Sequence, residues 1–241
     1  MSEESLNTLF ETFDTWRHLP SYKLEPRVDA FIALYLPTVL AEHTGLAFGP
    51  IIIPEFPVRK GTLDGDDDNS SVKVDFALFT KDSSTCFLVE IKTDQASRRE
   101  TQDSNMDRIA KIGFGPLVEG LLVILKATDK KYLQKYAHLL NALRRLELVE
   151  FPIGVAKHLY PNVTPDAWAA LSMVTLTNAA RRMAVRIAYV QPQSDQSPNV
   201  IGFDQFAAVI TKQPGPLAQI LATYLMKWTT TAGSNTPSGL P

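Results

Sequence analysis

Apolar residues return along this chain at two spacings, and the spacing separates helices from strands. Leu6, Leu9, Phe10, Phe13 and Trp16 recur at helical intervals, which predicts an amphipathic helix over 3–18, ended by Leu19 and Pro20. A second stripe, Val28, Phe31, Ile32, Tyr35, Leu36, Val39 and Leu40, predicts a helix over 25–42, with Pro26 in its first turn and Pro37 as a kink. Residues 51–59 read as a strand that Pro54 and Pro57 confine to a sheet edge or a bulge. Two apolar runs, 72–79 and 86–92, flank the polar turn 81–84 and predict a β-hairpin. Ser97 with Glu100 makes a capping-box pattern and opens a predicted helix over 98–112 that stops at Gly113.

The second half of the chain is mostly helical by the same criterion. Leu117, Leu121, Leu122 and Leu125 form one stripe, and Tyr132, Leu133, Tyr136, Leu139, Leu140 and Leu143 form another, so 116–148 reads as two helices. Thr164, Pro165 and Asp166 open a short helix through Leu171. Residues 183–190 read as a late strand that extends the sheet, 193–199 as a loop, and 203–210 and 216–228 as two closing helices. Residues 229–241 are rich in Thr, Ser, Gly and Pro, lack core residues, and are expected to be disordered. The order of elements predicts an α/β fold, a sheet with helices on its faces.

Composition narrows the setting. The chain has 241 residues, 45% of them hydrophobic and 21% charged, a globular balance with enough length for a sizeable core. One cysteine excludes a disulfide framework and a cysteine-based zinc site. No apolar run is long enough for a membrane span, and the first residues do not form a signal peptide, so a cytoplasmic protein with no membrane partner is expected. The net charge of −2 excludes a strongly basic nucleic-acid binder; any DNA affinity has to come from a local basic face or from a metal.

The candidate chemistry lies in the hairpin. Side chains alternate faces along a strand, so Phe87, Val89 and Ile91 share one face while Cys86, Leu88, Glu90 and Lys92 share the other. On the first strand Asp75 points with Lys73 and Ala77. One antiparallel pairing brings Asp75, Glu90 and Lys92 together. Two carboxylates are the hard oxygen ligands that Mg²⁺ prefers, and a lysine beside them can orient a nucleophile or offset charge on a phosphate. Neither Asp75 nor Lys92 is expected to fill the core. Glu25 and Asp29 fall at the N-terminal end of the second apolar stripe, either as helix-capping charges or as a further acidic group for the site. On the helix over 98–112, Gln102, Met106, Ile109 and Gly113 lie on one side, and Arg98, Arg99, Arg108 and Lys111 make the rest basic, as phosphate contacts require. Asp64, Asp66 and Asp68 have the spacing of a calcium loop, but Asn69 stands where the sharp-turn glycine belongs and the closing glutamate is missing, so this stretch reads as a solvated loop.

Asp75, a fourteen-residue gap, Glu90-Ile91-Lys92 at a strand end, and a following helix with Gln102 together resemble the PD-(D/E)XK nuclease superfamily. Val74 stands where a proline is usual, and Met106 where some members carry a tyrosine. The resemblance implies a restriction-endonuclease-like αβββαβ core, a mixed sheet flanked by helices, in a single domain over 1–228 with a helical insertion at about 116–180. It implies a Mg²⁺- or Mn²⁺-dependent DNA nuclease in which Asp75 and Glu90 bind metal, Lys92 positions the nucleophile and Gln102 supports the site. The superfamily often draws a glutamate from its first core helix, which maps onto Glu25 as a further metal ligand, with Asp29 in reserve. The implied partner is DNA, with a homodimer as a compatible assembly. Two other readings stand beside it: a non-catalytic member of the fold that binds nucleic acid or assembles with other proteins, and an unrelated small-molecule hydrolase with a carboxylate-bound metal.

Overall fold

A computed structural model describes residues 2–94, 100–129, 132–152, 154–159, 162–195 and 197–231. In chain order the elements are α1 (Glu3–Trp16), α2 (Glu25–Ala33), α3 (Leu36–Thr44), β1 (Phe48–Arg59), α4 (Lys60–Asp64), β2 (Ser71–Thr80), β3 (Thr85–Ile91), α5 (Glu100–Ile112), α6 (Phe114–Ala127) and α7 (Leu133–Arg145). There follow β4 (Val149–Glu150), α8 (Ala156–Leu159), α9 (Ala167–Ser172), β5 (Thr175–Leu176), α10 (Asn178–Arg182), β6 (Ala184–Gln191), β7 (Val200–Gly202), α11 (Phe203–Ile210) and α12 (Pro216–Thr231). The fold is α/β. A five-stranded mixed sheet has the order β1-β2-β3-β6-β7, and β4 and β5 form a separate antiparallel pair. No described helix is long and apolar enough to cross a membrane.

The hairpin β2–β3 forms where the polar turn predicts it. Asp82 Oδ1 accepts the Ser84 N–H at 3.1 Å, and Thr80 Oγ1 accepts the Thr85 N–H at 3.0 Å, so the turn's own side chains close it. Next to β3 runs β6. Ala184 N–H donates to Ser84 O at 2.9 Å and Lys92 N–H to Val190 O at 2.8 Å. These bonds join corresponding ends, which makes the two strands parallel. β7 is parallel to β6, with Tyr189 beside Val200 and Gln191 beside Gly202. β1 is an edge strand, as its prolines require, and Glu55 between them takes a left-handed φ of 52°. All seven residues of β3 are buried, among them Cys86, whose thiol burial pushes well above its ordinary range.

The chain packs as two compact units. One is built from the described parts of Met1–Phe48, Val89–Gln102 and Ala188–Pro241. In it α12 packs on α1 and α11, and α11 packs on α3. Phe10 is fully buried at the centre of a ring cluster with Phe13, Phe31, Tyr224 and Trp228. Asp14 fastens the end of α1 to α12: Trp228 Nε1 donates to one carboxylate oxygen at 2.9 Å and Lys227 Nζ sits 2.5 Å from the other. Burial raises the Asp14 carboxyl, but the hydrogen bonds from Lys227 and Trp228 outweigh it and the net shift is downward. A carboxyl lowered by folding adds stability that is complete above its unfolded value of about 4 and is lost as pH falls through the lower folded value. Asp14→Asn is therefore expected to cost about 1–2 kcal/mol at neutral pH. In urea unfolding from pH 7 to pH 2 the gap between wild type and variant should close only below about pH 4; two parallel curves would refute the assignment.

The second unit is built from the described parts of Gly49–Leu88 and Asp103–Ile187. Its centre is α6, which packs on α4, α9, α10 and β5. Gly120 of α6 faces Thr62 of α4 so closely that any side chain there would collide with it. Phe114 at the start of α6 meets Phe56 of β1 and Phe79 of β2, with ring centroids 6.0 and 5.5 Å away. The acidic turn after α4 is closed by its own carboxylates: Asp66 Oδ1 accepts the Asp68 N–H, and Asp68 accepts both the N–H and the hydroxyl of Ser70. A solvated turn, not a cation loop, is what these bonds make.

Two expectations change, and three short strands add to the predicted set. The helix over 25–42 is two helices, because Pro37 has no N–H and its ring would strike the carbonyl of Ala33; α2 ends there and Pro37 enters the first turn of α3. The strand β7 and the pair β4–β5 are too short to leave a periodic signal. Residues 229–231, expected in the tail, are helical: α12 continues to Thr231 and Thr229 Oγ1 bonds back to Leu225 O at 3.0 Å. Residues 232–241 lie outside the described residues, as do Ser97, Arg98 and Arg99 of the predicted capping box and basic face.

Candidate functional site

The buried charge in the sheet sits at the carboxyl end of β3. Glu90 is 1% exposed and Lys92 is 5% exposed. They are two residues apart, so the pleat puts both side chains on one face, and Lys92 Nζ donates to Glu90 Oε2 at 2.9 Å. The chain then enters α5, whose first turn returns Gln102; its Nε2 donates to the same Glu90 oxygen. Further along that side of α5, Met106 and Ile109 are buried, which fixes the helix face that carries Gln102. Glu90, Lys92 and Gln102 thus form one cluster.

An ion pair so deep is expensive. Taking two charges out of water costs several kcal/mol per ion, and a buried pair is weak ground for stability. The exposed pair of Lys73 and Glu55 shows the contrast: its separation is 3.0 Å, but the side chains are 64% and 61% exposed. Geometry alike and solvent unlike, only the buried pair calls for a reason other than surface charge balance.

The remaining predicted residues are placed as follows. Asp75 is half-buried in β2. Glu25 and Asp29 are half-buried on α2, and Asp29 Oδ1 turns back to accept the N–H of Ala30 at 2.6 Å. Arg108 of the expected basic face is engaged elsewhere: it donates to Leu63 O and pairs with Asp64 at 2.8 Å, so it braces the turn after α4. Among the described residues no three or more His, Cys, Asp or Glu side chains gather into a group that could hold a metal ion.

One polar residue of this face was not singled out from the sequence. In a parallel ladder an N–H bonds to the carbonyl of the residue before its lateral partner. The bond from Lys92 to Val190 therefore sets Lys92 beside Gln191 and Glu90 beside Tyr189. Lateral neighbours point to the same face. Gln191 is 2% exposed; its Nε2 donates to Gln193 O at 2.8 Å, while its Oε1 is buried with no hydrogen-bond partner among the described residues. The signal was present in the sequence: an apolar strand that closes on a polar residue before Pro192, as β3 closes on Glu90 and Lys92. The Glu90 carboxylate on this face is a hard oxygen donor. That donor chemistry suits Mg²⁺ or Mn²⁺, which one or two carboxylates hold while water and phosphate oxygens complete the shell.

Comparison of the chain with known protein families, with curated proteins and with solved structures finds no match.

Proposed function

We propose that this chain is a Mg²⁺- or Mn²⁺-dependent nuclease that hydrolyses phosphodiester bonds of DNA. The observation that carries the reading is the buried pair of Glu90 and Lys92, held by Gln102 at the end of a central strand. Buried charge that stability does not require is where chemistry concentrates. Support also comes from the order of elements: once the short α4 between β1 and β2 and the stretch α6–α10 with β4 and β5 between α5 and β6 are set aside as insertions, α2–α3, β1, β2, β3, α5 and β6 follow the αβββαβ order that the resemblance to PD-(D/E)XK nucleases implies.

In this reading Glu90 and Asp75 would hold the metal, with Glu25 as the further acidic ligand and Asp29 in reserve. A bound divalent ion would lower the pKa of a water and offset charge on the phosphoryl oxygens. Lys92 presents its ammonium to the attacking water or to the phosphate oxygen that gains charge. Gln102 keeps the Glu90 carboxylate in one orientation, so that the metal ligand and the lysine stay in register.

One observation favours a second reading. Glu90 Oε2 already accepts from both Lys92 and Gln102, so this oxygen is engaged by protein donors without a metal. A carboxylate bound in this way also suits a non-catalytic member of the fold that binds nucleic acid or assembles with other proteins. The test is purified protein on single-stranded, duplex and branched DNA with Mg²⁺, Mn²⁺ or EDTA. Cutting that EDTA stops is expected, and Asp75→Asn should weaken Mg²⁺ binding and abolish cutting together. Binding to DNA with no cutting, and no uptake of divalent metal at millimolar concentration, would establish the second reading.

A further inference from the structure

The buried carboxamide oxygen of Gln191 is the orphan of this face. It is a buried acceptor with no protein partner among the described residues, and such a group is destabilising unless something pairs with it. Its neighbours locate what it serves. Lys92, the residue just after β3, is its lateral partner, and Glu90 lies one pleat back on the same face. The rest of the side chain is fixed, because Nε2 is bound to Gln193 O at 2.8 Å. That bond also settles which way the amide is turned, with its oxygen toward the interior.

We infer that Gln191 belongs to the Glu90–Lys92 site and that its carboxamide oxygen accepts a hydrogen bond from the water that attacks phosphorus. The inference rests on the nuclease reading and adds a residue to it. An attacking water has to turn a lone pair toward phosphorus, and an acceptor on the far side of one of its hydrogens enforces that orientation. Lys92 is donor only, so it cannot hold a water hydrogen. Gln191 supplies the acceptor. In the reaction the water oxygen forms a bond to phosphorus and the P–O bond to the departing sugar oxygen breaks. The proton that the water loses and the proton that the sugar oxygen gains both exchange with solvent. Gln191 accepts a hydrogen bond and takes no proton.

The test compares Gln191→Met with Gln191→Glu. Methionine keeps the length and volume and removes the acceptor. Glutamate keeps an oxygen in the same place and loses the donor to Gln193. With Mg²⁺ present, Gln191→Met should lower kcat by about a hundredfold and leave KM for DNA and the Mg²⁺ midpoint unchanged, whereas Gln191→Glu should retain cutting within about tenfold of wild type. The urea midpoint of the methionine protein should stay close to that of wild type, because an unsatisfied buried oxygen leaves with the amide. Should that protein not fold, Gln191→Leu carries the same comparison. Equal kcat in wild type and the apolar variant would overturn the inference. So would an equal loss in the methionine and glutamate variants, since the bond to Gln193 would then be the whole role. Wild-type protein that cuts no DNA is a separate outcome, seen before any variant is made, and it sinks the nuclease reading along with this inference.

Discussion

Lys92→Met is expected to abolish cutting and to lower the unfolding free energy by about 3–5 kcal/mol. Both effects have one origin. Lys92 is 5% exposed, and its ammonium sits 2.9 Å from a carboxylate that is 1% exposed. Without it, Glu90 keeps a buried negative charge with one fewer donor, and solvent cannot replace what was lost. The double variant Glu90→Gln with Lys92→Met removes both charges and should recover most of the stability while remaining inactive, because a neutral buried pair avoids the desolvation cost. Lys73→Met is the control: its pair with Glu55 is exposed and should change stability by less than about 1 kcal/mol. Urea unfolding at neutral pH of these proteins, together with the single variant Glu90→Gln, completes the cycle that isolates the coupling. A Lys92→Met protein as stable as wild type would mean that water reaches Glu90 and that the pair is not the buried element described here. From sequence, Lys92 is a polar strand end with no part in the core; its burial, and that of both faces of β3, corrects that expectation.

What could be read from residues alone follows from how local each signal is. The hairpin, α1, β6 and α11 came from patterns within ten to twenty residues, where periodicity is strongest. That Glu90 and Lys92 share a face was legible for the same reason, from the pleat alone, whereas Gln102 was tied to them only by the resemblance; the structure brings it to Glu90 from the first turn of α5. Gln191 was not singled out, because nothing local says which strand lies beside β3. That choice depends on the packing of α6 to α10 between β3 and β6 in the chain, and only the sheet order makes Gln191 a neighbour of Lys92. The helix over 25–42 failed on a different ground. Its apolar stripe is continuous across Pro37, so periodicity favoured one helix, while the missing N–H of a single residue decided for two. Arg108 shows the limit for charge patterns: on α5 it read as part of a phosphate-facing surface, and Asp64 with Leu63 O, more than forty residues away, engages it instead.

Phe10→Ala should be among the most damaging single changes outside the site, costing about 3–5 kcal/mol. The ring is fully buried on α1 and touches side chains from α2 and α12 as well as its own helix. Its centroid lies 5.3 Å from Phe31, 5.5 Å from Tyr224, 5.7 Å from Phe13 and 6.4 Å from Trp228. Four rings around one leave a cavity that stiff aromatic planes cannot close, so the cost combines lost transfer energy with lost contacts. Phe10→Leu fills most of the space and should cost less than about 1.5 kcal/mol. A cycle with Tyr224→Leu should show coupling of about 0.5–1.5 kcal/mol, the part that belongs to ring geometry and not to burial. Loss of the near-ultraviolet circular dichroism of the cluster should accompany Phe10→Ala, since Trp228 loses a stacked neighbour. If Phe10→Ala unfolds within about 1 kcal/mol of wild type, α1 does not depend on this ring for its place on α12, and the two bonds of Asp14 to Lys227 and Trp228 hold the helices together without it.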